Sequence, residues 1–436
     1  MHTLEQLRSG ALAGTRRLDL SCGLTELPPE VLDLADTLEV LNLSGNRLSS
    51  LPPDVGRLHR LKIIFCSDNH FTHLPEVLGD CPALDMVGFK ANRIVDVPAP
   101  ALPAALRWLV LTDNAIAELP SALGERPALQ KLMLAGNRLS RLPPSLAGAQ
   151  RLELVRLAAN QLTHVPGWLT KLPRLAWLAL AGNPLGWKPP PLPPLPSVPW
   201  RQLQVGQRLG EGASGHIHRA HRLDLAHGEA QALKLFKGAV TSDGLPEHER
   251  AASLAAGQHP ALCTPSAELC EHPQGLHGLL LPLIAPTHTN LAGPPSLDSC
   301  TRDVYPSGLG LGVPVALRLA QRITEAVAHL HRSGVLHGDL YAHNILWNPA
   351  NGDAVLSDFG AATRLPADAP ALSLALQALE VRALGCLLEE LAHHATVPAA
   401  SPTVAGLARL AQACQHPEPG QRPTAAEVCS SLQALG

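Results

Sequence analysis

Residues 38–58 read LEVLNLSGNRLSSLPPDVGRL, and the frame of this stretch returns along the N-terminal part of the chain. Its Asn recurs at positions 46, 69, 92, 114, 137, 160 and 183, at intervals of 23 residues with a single 22. A Pro that follows Leu or Val recurs in phase at positions 28, 52, 75, 98, 120, 143 and 166. In-phase repetition of this length indicates a solenoid of stacked units, in which each unit buries its leucines against its neighbours.

The frame resembles the leucine-rich repeat consensus LxxLxLxxNxL. A degenerate earlier copy, RRLDLSCGLTELP, begins at Arg16, so we expect about eight repeats over residues 16–186. The resemblance implies one short strand per repeat in a parallel sheet on the concave side of an α/β solenoid, with a ladder of structural Asn side chains. Residues 2–14 are expected to form an N-terminal capping helix.

The positions between the buried leucines should point outward from the concave sheet. They carry large apolar side chains in a chain with only 3% aromatic residues: Phe65, Trp108, Met133 and Trp177. A solvated face would be polar, so this pattern predicts the binding of a protein partner or substrate. The alternative is that another part of the same chain covers the face.

A proline-rich stretch, WKPPPLPPLPSVPW at 187–200, divides the chain. It predicts a semi-rigid polyproline II spacer, with a ligand for a PxxP-reading domain as the alternative. The predicted domains are therefore a repeat domain at 1–186, a linker at 187–200 and a second domain at 201–436.

Composition excludes several classes of function. The net charge of -3 gives no attraction to nucleic acid. The nine cysteines are dispersed and lack a CxxC pair, which favours a reduced, cytoplasmic setting. The start, MHTLEQLRSG, does not resemble a signal peptide, and the longest apolar run, at 279–285, is too short for a membrane span.

The second domain contains HGDLYAHNIL at 337–346 and SDFG at 357–360. Asp339 can accept the proton of an attacking hydroxyl group. Asn344 and Asp358 are hard oxygen ligands that can hold magnesium on ATP phosphates. This spacing predicts phosphoryl transfer.

A glycine-rich turn precedes these motifs. Gly210, Gly212 and Gly215 fit GxGxxG, and glycine lets the backbone approach a phosphate closely. Lys234 in ALKLF follows Gly210 by 24 residues and can reach the phosphates from its strand. The orienting anion for this lysine is Glu247 or Glu249, and the spacing favours Glu249.

Taken in order, residues 201–436 resemble the eukaryotic-type protein kinase superfamily. EVRALGCLLEEL at 380–391 is similar to the buried central helix of that family, and PEPGQRPTAAEV at 417–428 is similar to its RPT segment. The resemblance implies a bilobal α+β domain that uses ATP and Mg²⁺, in which Lys234 pairs with Glu249, Asp339 is the base, and Asn344 and Asp358 bind the metal. It also implies a nucleotide pocket lined by Ile217, Ala232, Leu281 and Leu283. The combination with repeats resembles bacterial and plant repeat kinases, and the composition favours a bacterial source.

Three departures from the family pattern limit the assignment. Gly338 stands where the family has Arg, so a phosphate on the activation segment lacks its usual reader. Tyr341 replaces the Lys that normally touches the γ-phosphate. Only nineteen residues separate Gly360 from Glu380, and no APE triplet occurs among them. The sequence therefore predicts an active Ser/Thr-type protein kinase, with a pseudokinase scaffold and a small-molecule phosphotransferase as alternatives.

Overall fold

The computed structural model describes residues 2–192, 194–212, 214–224, 230–237, 241, 243–396 and 401–436. The chain forms two compact units, Met1–Leu172 with Asn183–Leu185, and Pro173–Gly182 with Gly186–Gly436. The division differs from the predicted boundary at residue 186. Residues 173–182, which lie in the last repeat, belong to the C-terminal unit.

The first unit is a stack of repeats. Helix α1 caps it over Leu4–Arg8, and Thr3 and Gln6 form a capping box at its start. Seven strands pair in parallel in chain order: β1 Arg17–Asp19, β2 Val40–Asn42, β3 Ile63–Phe65, β4 Met86–Gly88, β5 Trp108–Val110, β6 Lys131–Met133 and β7 Leu154–Arg156. Short 3₁₀ helices complete the repeats: Pro29–Leu34, Pro53–Arg57, Glu76–Asp80, Ala99–Ala101, Ser121–Glu125, Pro144–Gly148 and Leu169–Lys171.

The predicted Asn ladder is confirmed. The side chain of Asn46 donates to the carbonyl oxygens of Leu20 and Leu43, at 2.8 Å each, and accepts from the backbone N–H of Leu24 at 3.0 Å. The in-phase Asn residues of the following repeats make the same kind of bonds, which include those of Asn69, Asn92, Asn114, Asn137, Asn160 and Asn183. Each Asn thereby satisfies buried backbone groups of two successive turns.

The second unit begins with the eighth repeat strand, β8 Trp177–Ala179. Its N-lobe is a six-stranded sheet in the order β10-β11-β12-β14-β13-β9. These strands span Ser197–Pro199 (β9), Leu203–Glu211 (β10), Gly215–Arg222 (β11), Gln231–Phe236 (β12), Ala267–Cys270 (β13) and Gly278–Pro282 (β14). Helix α2, Pro246–Ala256, accompanies the sheet, and a 3₁₀ turn lies at Trp200–Gln202.

The C-lobe is mainly helical: α3 Val313–Arg332, α4 Pro370–His394, α5 Pro402–Cys414 and α6 Ala425–Gln433, with 3₁₀ turns at Ala342–Asn344 and Pro419–Gln421. Its strands are short: β15 Thr289–Asn290, β16 Leu311–Gly312, β17 Val335–Leu336, β18 Ile345–Trp347, β19 Ala354–Leu356, β20 Thr363–Arg364 and β21 Ala395–Thr396. Helix α4 is long and apolar enough to cross a membrane, but 56% of its most apolar window is buried, as in the core helix of a globular domain.

The linker prediction needs correction. The C-terminal end of the predicted linker at 187–200 forms β9, which pairs in parallel with β13 at the edge of the N-lobe sheet. At the other end, Lys188 is hydrogen-bonded through its backbone to Ala367 and Asp368. The prolines therefore stiffen a segment that is attached at both ends, and these parts of it are not a free spacer.

Residues 285–311 form an insertion between β14 and α3 that is bonded to α4. Arg302 pairs with Glu389 at 2.6 Å and with Glu390 at 3.2 Å. The hydroxyl group of Tyr305 donates to Glu390 at 2.8 Å. These bonds fasten the insertion to the C-terminal part of α4, and burial raises the pKa of Glu390 to about 7.

Candidate active site

The structure pairs Lys234, on strand β12, with Glu249, in the first turn of α2. The two side chains are only 11% and 4% exposed, whereas the side chain of Glu247 points to solvent. Burial raises the pKa of Glu249 above its ordinary value, and the charge of Lys234 opposes that rise. Of the two glutamates that the sequence allowed, Glu249 is therefore the partner of the lysine.

Lys234 shares one face of the N-lobe sheet with the residues predicted to line a nucleotide pocket. Ile217 is the register partner of Lys234, and Ala232 is the partner of Leu281 two positions along the same strands. Side chains at i and i+2 of a strand point to the same face, so these four groups lie together. Leu283 follows β14 and is half-buried.

The glycines of the turn divide into two kinds. A Cβ atom on Gly210 or Gly212 would meet no atom within 4 Å, so this loop has space above it. A Cβ atom on Gly215 would instead lie 2.5 Å from the carbonyl oxygen of Leu235. Gly215 is thus needed for close approach of two strands, and the other two glycines border open space.

Asp339 and Asn344 are joined directly. The side-chain nitrogen of Asn344 donates to the backbone oxygen and to Oδ2 of Asp339, at 2.9 Å each. The backbone oxygen of Asn344 accepts from both the N–H and the hydroxyl group of Ser357, at 2.9 Å each. Because the amide nitrogen is used in these bonds, Oδ1 is the atom with which Asn344 can bind a cation.

Asp358 has left-handed backbone, with φ of 61°, and its Oδ1 accepts from the N–H of Gly360 at 3.0 Å. The charge of its exposed carboxylate contributes to the raised pKa of Glu249, so Asp358 lies near the Lys234–Glu249 pair. One carboxylate and one amide oxygen suit Mg²⁺, which fills its other positions with water and phosphate oxygens. The residues present therefore fit a magnesium–nucleotide complex.

Gly338 has a physical reason to be glycine. Its φ is 75°, and a Cβ atom there would lie 2.6 Å from the carbonyl oxygen of Ala361 and 2.7 Å from that of Leu178. Its N–H donates to Oε1 of Glu380 at 2.7 Å, and Oε2 of Glu380 contacts Nε2 of His331 at 2.9 Å. The buried Glu380 thus fixes the loop that carries Asp339.

Tyr341 is only 5% exposed, and its ring stacks on Trp177 at 4.3 Å with an interplanar angle of 6°. Trp177 is 2% exposed, and its Nε1–H donates to the carbonyl oxygen of Leu340 at 2.9 Å. The expectation that Trp177 lies on an open concave face is wrong, because its ring packs within the second unit.

Phe65, Trp108 and Met133 are half-buried, and Nζ of Lys131 lies 4.0 Å from the ring centroid of Trp108.

The activation segment is held by residues outside the predicted kinase domain. Thr363 is 2% exposed, and its hydroxyl oxygen accepts from the N–H of Leu180 at 3.0 Å. Arg364 donates to the carbonyl oxygen of Pro190, and Arg422 donates to that of Pro173 at 2.9 Å. Sequence reasoning missed this role of residues 173–190. The aromatic Tyr341 and the short activation segment were the available signals, since both require a packing partner.

Sequence reasoning also missed the pair formed by His343 and Asp303. Nδ1 of His343 lies 2.7 Å from Oδ1 of Asp303, and the backbone N–H of His343 donates to the other oxygen at 2.9 Å. Burial lowers the pKa of His343, but the hydrogen bond and the charge of Asp303 outweigh it, so that the pKa lies above its ordinary value. The insertion thus supplies a carboxylate to the loop between Asp339 and Asn344.

Comparisons with known proteins agree with this architecture. A protein kinase domain model matches residues 203–381, and leucine-rich repeat models match residues 37–58 and 127–185. The chain therefore combines leucine-rich repeats with a protein kinase domain.

Similar proteins include Probable inactive serine/threonine-protein kinase roco10 from Dictyostelium discoideum, which is 31% identical over 123 residues, or 27% of this chain and 5% of that protein. Human Kinase suppressor of Ras 2 is 25% identical over 167 residues, or 36% of this chain and 15% of that protein. Probable serine/threonine-protein kinase roco9 from Dictyostelium discoideum is 41% identical over 54 residues, or 12% of this chain and 2% of that protein. The similarity thus covers a small part of each relative.

Proposed function

We propose that the protein is an ATP-dependent protein kinase of the Ser/Thr type. The observation that carries the proposal is the convergence of the buried Lys234–Glu249 pair, the joined Asp339 and Asn344, and Asp358 in one unit. A phosphoryl-transfer site needs a cation on the phosphates, a metal site and a base for the attacking hydroxyl group, and these residues can supply all three.

Each residue has a role in this proposal. Lys234 and the amides of the loop at Gly210, Gly212 and Gly215 hold the phosphates. Asn344 and Asp358 hold Mg²⁺, which when bound neutralises charge on the phosphates. Asp339 accepts the proton of the substrate hydroxyl group, and its bond from Asn344 fixes the direction of its carboxylate.

A pseudokinase scaffold is the second candidate. Tyr341, at the position where the family has Lys, is a neutral side chain that is buried under Trp177, so it supplies no cation to the phosphates. One similar protein is itself named a probable inactive kinase. A small-molecule phosphotransferase has less support, because the repeats offer a surface of protein size.

Phosphate transfer from labelled Mg-ATP separates these candidates. The full chain is incubated alone and with casein, beside the Asp339→Asn variant, and nucleotide binding is measured in parallel. We expect the wild type to label itself or casein and the variant to bind nucleotide without transfer. Binding without transfer in the wild type would support the scaffold instead.

We also propose that the repeats select a protein partner or substrate in a cytoplasmic setting. Leucine-rich repeats present extended surfaces to proteins, and Phe65, Trp108 and Met133 stand on the strands of the first unit. Trp177 is not part of this proposed surface, because its ring is buried in the second unit.

A further inference from the structure

Residues 173–182 and 186–190 contact the loop that carries Asp339, the activation segment and two helices of the second unit, and we call them the positioning segment. The first set of contacts is with the loop that carries Asp339. Trp177 stacks on Tyr341 and donates its indole N–H to the carbonyl oxygen of Leu340. The carbonyl oxygen of Leu178 lies where a side chain at position 338 would be. The loop is therefore in contact with the segment both before and after Asp339.

The second set of contacts is with the activation segment. Leu180 donates its N–H to the buried hydroxyl oxygen of Thr363. Lys188 accepts from the N–H of Ala367 at 3.0 Å and donates to Oδ1 of Asp368 at 3.1 Å. Arg364 donates to the carbonyl oxygen of Pro190. These bonds lie along the activation segment, and none of them involves a phosphate group. The contacts can therefore order the segment without phosphorylation.

The third set of contacts is with the helices. Arg382 of α4 donates to the carbonyl oxygen of Arg174 at 3.0 Å, and Arg422 donates to that of Pro173. Gly182, with φ of 77°, lies against the ring of His248, which directly precedes Glu249 in α2. One segment of the last repeat therefore touches the catalytic loop, the activation segment and the helix of the Lys234–Glu249 pair.

We propose that the positioning segment holds the catalytic constellation in its reactive arrangement, and that Trp177 is a positioning residue for Asp339. The proposal rests on the kinase function proposed above. Asp339 is two residues from Tyr341, so displacement of the stacked tyrosine shifts the backbone that directs the carboxylate. A shift of about 1 Å in a reacting group lowers the rate by up to about 100-fold.

The proposal has a consequence for the boundaries of the catalytic module. A fragment that starts at residue 201 lacks every contact of the positioning segment, and it exposes Tyr341 and the buried acceptor oxygen of Thr363. The catalytic module therefore begins with the last repeat. Its activation segment is ordered by contacts with the positioning segment of the same chain. Phosphorylation of that segment is not required for this order.

The test uses the full chain with Trp177→Leu and Trp177→Phe. Leu removes both the stack and the N–H donor, whereas Phe keeps a ring on Tyr341 and removes only the donor. We expect kcat for transfer from Mg-ATP to fall at least about tenfold in the Leu variant and about threefold in the Phe variant. The KM for ATP should stay within about twofold, since the residue does not touch the nucleotide-binding strands.

Backbone hydrogen exchange of residues 339–344 is the second readout. It should increase in the same order, from wild type through Phe to Leu, while circular dichroism stays unchanged. Trp168→Ala is the control, because Trp168 lines a surface groove of the first unit and belongs to a different repeat. Unchanged exchange at 339–344 in the Leu variant would overturn the proposal, as would a kcat of the Leu variant equal to that of the wild type.

The two proposals fail in different ways. If the wild type transfers no phosphate, the kinase function fails, and the exchange of residues 339–344 still decides whether Trp177 positions the loop. If the Leu variant does not fold, the Phe variant decides alone. Exchange at 339–344 equal to that of the wild type would then reject the positioning role.

Discussion

At the scale of single residues, the Lys234–Glu249 pair links activity to stability. Lys234→Met should abolish phosphate transfer, and it should also leave the buried Glu249 carboxylate without its cation. Breaking a buried ion pair from one side costs about 3–5 kcal/mol of unfolding free energy, whereas a double change to apolar residues is often neutral. Chemical denaturation should therefore show a loss in Lys234→Met that is largely recovered in Lys234→Met with Glu249→Met.

The pH dependence of the single variant follows from the direction of the Glu249 shift. Burial already raises the pKa of Glu249, and removal of Lys234 raises it further. A carboxyl group whose folded pKa exceeds its unfolded pKa binds more protons when folded, so stability falls as the pH rises. The deficit of Lys234→Met should shrink as the pH is lowered from 7 toward 5. A deficit independent of pH would contradict this assignment of the buried charge.

Asp358→Asn tests the metal site without disturbing a core. The Asp358 side chain is exposed, so melting should change little, but the loss of one carboxylate weakens magnesium binding. We expect phosphate transfer to be abolished at ordinary magnesium concentrations. Unchanged ATP-dependent labelling in Asp358→Asn or Lys234→Met would reject the kinase function.

Gly338 offers a steric test with an internal control. Gly338→Ala places a Cβ atom against the carbonyl oxygens of Ala361 and Leu178 at a positive φ. Gly186 has a similar φ of 70°, but a Cβ atom there meets nothing within 4 Å. Left-handed backbone alone costs a non-glycine residue about 1–2 kcal/mol. Gly186→Ala therefore measures the cost of the backbone conformation without steric crowding. Urea unfolding should show a clearly larger loss of unfolding free energy for Gly338→Ala than for Gly186→Ala. Equal losses would mean that the surrounding backbone moves to accept the Cβ atom without loss of stability.

At the scale of elements, the activation segment is the part where the structure changes the expectation most. Because Gly338 gives a phosphate on this segment no arginine to bind, replacement of Thr363 or Ser373 by Ala should leave activity within about threefold, a barrier change under ~1 kcal/mol. The nearby arginines Arg364 and Arg382 are bonded to the carbonyl oxygens of Pro190 and Arg174. The segment is thus anchored by neutral acceptors of the same unit.

Thr363→Ala should therefore act on stability. Thr363 is buried and accepts from Leu180, so the Ala variant removes a buried hydrogen bond, which costs about 0.5–1.5 kcal/mol. Thr363→Ser keeps the oxygen and should behave as the wild type in urea unfolding. Mass spectrometry of protein incubated with Mg-ATP should find no phosphate on Thr363. A phosphorylated Thr363 in folded protein would contradict its burial.

The elements also show what a sequence can and cannot predict. The Asn and Leu frame predicted the repeat strands and the Asn bonds through its resemblance to the leucine-rich repeat, because that resemblance can be recognised within a short stretch of sequence. Glu249 could be preferred over Glu247 from its spacing to the His-Pro pair that follows the helix at 259–260, and the structure pairs it with Lys234. The role of Trp177 could not be predicted, because the pairing of Trp177 with Tyr341 spans 164 positions in the sequence, from 177 to 341, and has no local pattern.

At the scale of the whole molecule, the repeat pattern and the division into compact units do not coincide. The Asn frame continues to position 183, yet residues 173–182 belong to the kinase unit. Tryptophans at equivalent positions of different repeats therefore have different environments. Trp177 packs inside the second unit, whereas Trp108 is half-buried on β5 of the first unit.

Trp108→Ala tests whether the first unit binds a partner. If Trp108 anchors a protein surface, its truncation should weaken the complex by about 2 kcal/mol or more, which is about 30-fold in Kd. A partner identified by capture on the wild-type chain is titrated against Trp108→Ala and against the control Trp168→Ala. The melting temperature should barely change, since a half-buried side chain contributes less to a core than a fully buried one. A large fall in melting temperature with an unchanged Kd would instead mean that Trp108, like Trp177, is a packing residue.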